Sequence, residues 1–171
     1  YVRIIPSNRR ALLIPAARGG ASLTGGPPEI SWDTTYSDGL FALCVAQAKA
    51  ALALAGPNSR VAAILFVQGE AESQGFTSTS VYSAAFSTLI NALRTQIPNC
   101  ANAAVVIGSM VQSWVDTVAN GRNIAVSHEL VSSRLDRSAY VLGPYGNGDV
   151  HYTASEARVL GGRMLDAFVK A

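Results

Sequence analysis

The stretch Val61-Ala62-Ala63-Ile64-Leu65-Phe66-Val67 runs without a break into Gln68-Gly69-Glu70-Ala71-Glu72-Ser73. A continuous apolar run of strand length, with no polar alternation, reads as a strand buried on both faces, as in a parallel sheet. The polar turn after it leaves the carboxyl end of that strand. Ligands of open α/β sheets bind beyond the carboxyl ends of the strands. One stretch therefore sets the fold class and the side on which a site is expected.

Working outward, Ala11-Leu12-Leu13-Ile14-Pro15 gives a second buried-strand pattern, ended by Pro15. A long loop rich in Gly and Pro follows. It carries Gly19-Gly20, Gly25-Gly26-Pro27-Pro28 and Trp32, and runs on to Gly39. Loops of this length in a compact domain are usually functional. Leu40 to Ala55 is an Ala-rich helix stopped by Gly56-Pro57. Downstream, Thr79 to Ile97 places Val81, Tyr82, Ala85, Phe86, Leu89, Ile90, Leu93 and Ile97 at helical spacing before Pro98. Ala103 to Gly108 is a third strand. A loop with Trp114, a helix over Asn120 to Leu135 and a short strand Ala139 to Leu142 come next. After the loop Gly143 to His151, a last helix covers Ala154 to Val169, with Val159, Leu160, Met164, Leu165 and Phe168 on one face. Strand and helix alternate four times. That predicts one α/β domain over 1–171, with a mainly parallel sheet and helices on both faces.

The chain has 171 residues, 49% hydrophobic and 14% charged, which suits one domain with a sizeable core and argues against disorder. A net charge of +2 gives no footprint for nucleic acid or an acidic membrane surface. No apolar run reaches the roughly 18 residues of a membrane span. Phe41 to Ala55 comes nearest and is broken by Gln47 and Lys49. Tyr1-Val2-Arg3-Ile4-Ile5 does not read as a secretory leader, and without an initiating Met the chain reads as a mature product or a fragment. Cys44 and Cys100 have no metal spacing. Cys44 fits an apolar helical pattern, Cys100 falls in a loop, and a disulfide between them stays open. Compartment stays open too, with a secreted or extracellular setting favoured.

Four loops converge on the carboxyl rim of the sheet. His151 suits general-base work if a carboxylate turns its ring, and Asp149 is the nearest candidate. The bland alternative is a surface histidine. His128 falls inside a helix and reads as structural or solvated. Gly19-Gly20 lets a ligand approach the backbone N–H groups, or is an ordinary turn. Gln68 could donate to a developing oxyanion, or merely cap its strand. Trp32 and Trp114 could wall a pocket for a sugar face, or fill the core. Ser22 is the one serine in a suggestive loop, but it lies where oxyanion donors are expected. There is no G-x-S-x-G elbow, P-loop, G-x-G-x-x-G or zinc spacing.

Three blocks taken together resemble the SGNH (GDSL-like) hydrolase superfamily, in its sialate O-acetylesterase-like, carbohydrate esterase family 6 branch. Leu13 to Leu23 with Trp32 downstream looks like the branch's second block. Ile64 to Ser73 looks like its Trp-x-Gln-Gly-Glu-Ser block. Asp149-Val150-His151-Tyr152-Thr153, with Leu160-Gly161 and Arg163, looks like the last. The similarity covers nearly the whole chain in order. It implies a flavodoxin-like three-layer αβα sandwich and removal of acetyl groups from sugars by a Ser-His-Asp mechanism, without metal or cofactor. His151 would be the base. Gly20 and Gln68 would be oxyanion donors. Glu70 would brace the loop or the substrate, and Gly19, Trp32 and Trp114 are the further candidates for substrate binding.

The chain departs from the pattern twice. The opening Gly-Gln-Ser-Asn block, which carries the nucleophile, does not occur in it. The family's Asp lies three residues before the His, where this chain has Gly148, while Asp149 lies two before. Either Asp149 or a backbone carbonyl would then orient His151. The missing block also carries the family's central strand. Without it two buried strands would face a gap of unpaired backbone groups, each costing about 1–3 kcal/mol against a net stability of roughly 5–15 kcal/mol. The expectation is that an upstream segment supplies both strand and Ser, and that this chain does not fold alone. The leading reading is an acetylesterase of O-acetylated carbohydrate. An inactive carbohydrate-binding domain of the same fold and a purely structural α/β domain are the alternatives.

Overall fold

The computed structural model describes residues 5–75 and 77–170. Residues 1–4, read above as lacking a secretory leader, lie outside them. Three strands form one parallel sheet in the order β1 (Ala63–Phe66), β2 (Ala104–Gly108), β3 (Ser138–Val141). Phe66 sits opposite Ile107, and Ile107 opposite Tyr140. β2 is central and all five of its residues are buried. Its side chains alternate as the pleat requires. Val105 and Ile107 enter a large cluster with Phe41 and Val45 of α1 (Leu40–Ala55), Phe86 and Leu89 of α3 (Thr79–Gln96) and Ile124 of α5 (Gly121–Glu129). Val106 points the other way, to Leu160 and Met164 of α6 (Ala154–Lys170). Helices thus cover both faces. Burying each large apolar side chain stabilises the fold by about 1.5–3 kcal/mol, so the five-residue β2 is its mechanical centre.

The helices begin and end on readable signals. Ser78 caps α3 by accepting from the Val81 N–H at 3.3 Å. α1 stops at Gly56, at φ 89° and just before Pro57. Thr153 and Glu156 close a capping box at the start of α6. The Glu156 carboxylate accepts from the Thr153 N–H at 2.8 Å, and the Thr153 hydroxyl meets the Glu156 N–H at 3.4 Å.

Three expectations change. Ala11 to Pro15 is not a strand. Leu12 and Leu13 are 62% and 83% exposed, and of this apolar stretch Ile14 packs against the core. Among the described residues β1 pairs with β2 alone, so the segment has no ladder to join. Leu65 on β1 is likewise 60% exposed, because α6 packs over β2 and β3. The helix expected over Asn120 to Leu135 ends at Glu129 and continues as a 3-10 turn, Val131–Ser133. Here serine hydroxyls compete for backbone carbonyls: Ser133 donates to Leu130 O at 2.7 Å and Ser132 to Ser138 O at 3.0 Å. Cys44 and Cys100 are both free thiols, and burial pushes Cys100 up to about 11. No helix among the described residues is long and apolar enough to cross a membrane.

Candidate active site at the carboxyl rim of the sheet

β1 leads through Val67 into the tight turn Gln68-Gly69 and a single helical turn, α2 (Glu70–Ser73). Gly69 makes that turn possible. Its φ is +134°, and a Cβ there would lie 2.6 Å from Ile124 Cγ2 and 3.0 Å from Met110 Sδ. No other residue type fits the backbone this close to α5. The turn buries both Gln68 and Glu72.

Glu72 organises what surrounds it. One carboxylate oxygen accepts from the Ser22 hydroxyl at 2.9 Å, from the Thr24 N–H at 3.1 Å and from the Leu23 N–H. The other accepts from Gln68 Nε2 at 2.5 Å. The backbone of 22–24 thus wraps an internal carboxylate, with about 1.5–3 kcal/mol typical of each charge-assisted bond. A parallel bridge from Ser22 to Ser31 continues the loop, with Trp32 N–H donating to Ser22 O at 2.8 Å. Beyond this brace, Gly19 and Gly20 form an exposed turn with Gly20 at φ +72°, and open space surrounds both.

Gln68 is fully engaged. Its amide donates to Ala21 O at 3.0 Å as well as to Glu72, and its carbonyl accepts from Tyr82 Oη at 2.8 Å. Tyr82 Oη also lies 3.0 Å from His128 Nε2. Burial holds His128 neutral, with a pKa lowered to about 3, and nearby Arg134 pushes the same way. Burial, aided by Glu72 and Glu70, keeps the Tyr82 phenol protonated.

The opposite side of the rim is the loop 143–153. Single-turn α4 (Gln112–Val115) holds it: the Ser113 N–H donates to Tyr145 O at 2.8 Å, and Ser113 Oγ accepts from the Gly148 N–H at 2.8 Å. Tyr152 Oη meets Ser109 Oγ at 2.9 Å and donates to Met110 O at 2.9 Å. Arg163 reaches back from α6 to Leu142 O at 2.6 Å. His151 stands exposed between the Tyr152 tether and an Asx turn, in which Asp149 Oδ1 accepts the His151 backbone N–H at 3.1 Å. One oxygen of Asp149 thus holds the His151 backbone, and no hydrogen bond joins Asp149 to the imidazole. Glu70 is the acid that feels the His151 ring. Burial raises its pKa, while its own N–H and then the His151 charge pull it down.

The structure thus brings Gln68, Glu70 and His151 to one rim, with Gly19 and Gly20 at the end of the braced loop. Trp32 belongs to the core, and Trp114 is half-buried with its Nε1 buried and unpartnered. His128, read from the sequence as structural or solvated, is buried in α5, and Glu72, Tyr82 and Tyr152 were given no role at the site. Thr153-x-x-Glu156 was a legible signal, whereas nothing local pointed to the links among the other four. Two clefts, of about 320 Å³ beside Tyr36 and Lys49 and about 230 Å³ beside Leu13 and Gln47, contain none of these rim residues. The described residues hold no cluster of three or more His, Cys, Asp or Glu arranged for a metal.

The family model described as carbohydrate esterase, sialic acid-specific acetylesterase, matches residues 2–170. The chain belongs to this family. Comparison with curated proteins found no match, nor did comparison with solved structures. As a member of the carbohydrate esterases, the chain has the α/β fold expected, with a parallel sheet flanked by helices. Carbohydrate esters are the family's general substrate class.

Proposed function

We propose that the protein removes O-acetyl groups from carbohydrate, with His151 as general base and a serine nucleophile contributed by a segment outside this chain. The observation that carries the reading is the rim itself, where an exposed imidazole on a tethered loop lies near enough to Glu70, in the turn after β1, for Glu70 to feel its charge. The described serines nearby are committed elsewhere. Ser22 donates to Glu72, buried Ser109 pairs with Tyr152, and Ser113 receives the Gly148 N–H. None of the three forms a hydrogen bond with His151. The outer edge of β1, beside exposed Leu65, is where a further strand carrying the nucleophile would pair.

In this mechanism His151 takes the proton of the incoming hydroxyl as it adds to the acetyl carbonyl. It then returns that proton to the departing sugar oxygen. The N–H groups of the exposed Gly19-Gly20 turn would stabilise the oxyanion. Gln68 acts by holding Ala21 and Glu72, since both hydrogens of its amide are already donated. Glu70 is the carboxylate proposed to orient the His151 ring, because Asp149 holds the backbone instead. Hydrolysis of an aryl acetate by the intact protein separates the two acids. Glu70→Gln lowers kcat by roughly 100-fold or more, in line with the loss of a group that orients and stabilises a catalytic His. Asp149→Asn, which keeps the Asx turn, lowers it by less than about tenfold. The reverse order would return the role to Asp149.

An inactive sugar-binding domain is the second reading. The commitment of every nearby described serine favours it, and it predicts sugar binding without release of acetate.

A further inference from the structure

The contacts around Gln68 leave one arrangement of protons. Four donors surround the Glu72 carboxylate: the Ser22 hydroxyl, the Leu23 and Thr24 N–H groups and the Gln68 amide. Ala21 O can only accept. Both demand the NH2 end of Gln68, so its carbonyl must face Tyr82. The single phenolic hydrogen of Tyr82 then goes to Gln68 Oε1, at 2.8 Å. With that hydrogen spent, the 3.0 Å approach of His128 Nε2 to Tyr82 Oη is a bond only if Nε2 carries the proton. The remaining ring nitrogen, Nδ1, is buried without a partner. As a bare lone pair it is tolerable, because under-satisfied acceptors are less rare than orphaned donors. The other tautomer would bury an N–H with no acceptor and set two lone pairs against each other.

We propose that Tyr82 and His128 are positioning residues of the rim. His128 donates from Nε2 to Tyr82, Tyr82 donates to the Gln68 carbonyl, and this one-way chain holds the Gln68 amide against Ala21 and Glu72, and so fixes the loop 21–24. The chain runs from α5 through α3 to the turn after β1. Its last acceptors, Ala21 O and Glu72, lie next to the Gly19-Gly20 turn. The catalytic side of this inference rests on the esterase reading above. The direction of the chain does not.

Two measurements on the intact protein test it. Long-range proton–nitrogen NMR of 15N-labelled protein shows His128 protonated on Nε2 alone. A proton on Nδ1 overturns the proposal. Amide exchange then reads the loop: Tyr82→Phe removes the hydrogen given to Gln68 Oε1, and exchange at Leu23 and Thr24 speeds up. Unchanged exchange there overturns the positioning role. In aryl acetate hydrolysis Tyr82→Phe and His128→Leu lower kcat roughly tenfold with KM little changed, a fraction of what small misplacements can cost. His128→Gln, whose amide N–H replaces Nε2–H, restores most of the rate. If Tyr82→Phe retains full kcat, or if His128→Gln is no better than His128→Leu, the proposal fails. Absence of any hydrolysis by the unmodified protein overturns the esterase reading instead, and the tautomer and exchange results still decide the chain.

Discussion

Lowering the pH should destabilise this protein through one buried histidine. His128 has a folded pKa of about 3 against an ordinary 6.5. Its folded pKa is depressed, so between these values the unfolded chain binds a proton that the folded chain refuses. Stability then falls as pH falls through the unfolded value, and the loss ends near the folded one. The full difference of about 3.5 pH units is worth about 5 kcal/mol at 1.36 kcal/mol per unit. Between about pH 7 and pH 5 the share lost is about 2 kcal/mol by the same linkage. That is a large fraction of a typical net stability of roughly 5–15 kcal/mol. Glu70 works in the opposite direction, because burial raises its pKa and its protonated form is favoured in the fold. Comparison with His128→Gln removes that contribution, since Glu70 is common to both proteins. Urea unfolding followed by tryptophan fluorescence at about pH 7, 6 and 5 gives the two curves. The unmodified protein loses about 2 kcal/mol more than His128→Gln over this range. Equal pH slopes in the two proteins would refute the burial and neutrality assigned to His128.

Two further outcomes follow from the packing. Gly69→Ala destabilises by about 2–3 kcal/mol, from overpacking against Ile124 in a strained backbone, whereas Gly161→Ala in α6, where a Cβ meets open space, stabilises by up to about 1 kcal/mol. Paired urea midpoints check both. Glu72→Gln sets an amide against the donors of the 22–24 loop and costs about 2–4 kcal/mol, with faster amide exchange at Leu23 and Thr24 as its local signature.

Much of the fold was legible because it is written in local periodicity. α1, α3 and α6 lie within a residue of the stretches marked by apolar spacing and by Gly or Pro stops. β1 and β2 stood out as unbroken apolar runs. Ala11 to Pro15 has the same local pattern, yet it is no strand, because a strand needs a neighbour and apolar character cannot supply one. The site divides along the same line. His151 and the Gln68-Gly69-Glu70 turn were visible as short blocks. The commitment of Asp149 to a backbone N–H depends on the curl of a Gly-rich loop, with Gly146 and Gly148 both at positive φ. The Glu72 brace joins residues about fifty positions apart, and the link from Tyr82 to His128 spans forty-six. Such pairings exist only once the helices have packed.

The most direct measurement of the central claim is release of acetate from an O-acetylated sugar by the intact protein and by its His151→Ala variant, both shown to be folded. The account predicts turnover by the unmodified protein and loss of at least about 1,000-fold in kcat when the base is removed. Equal rates in the two proteins would contradict His151 as the base. Sugar binding with no acetate released would assign the rim to recognition without chemistry.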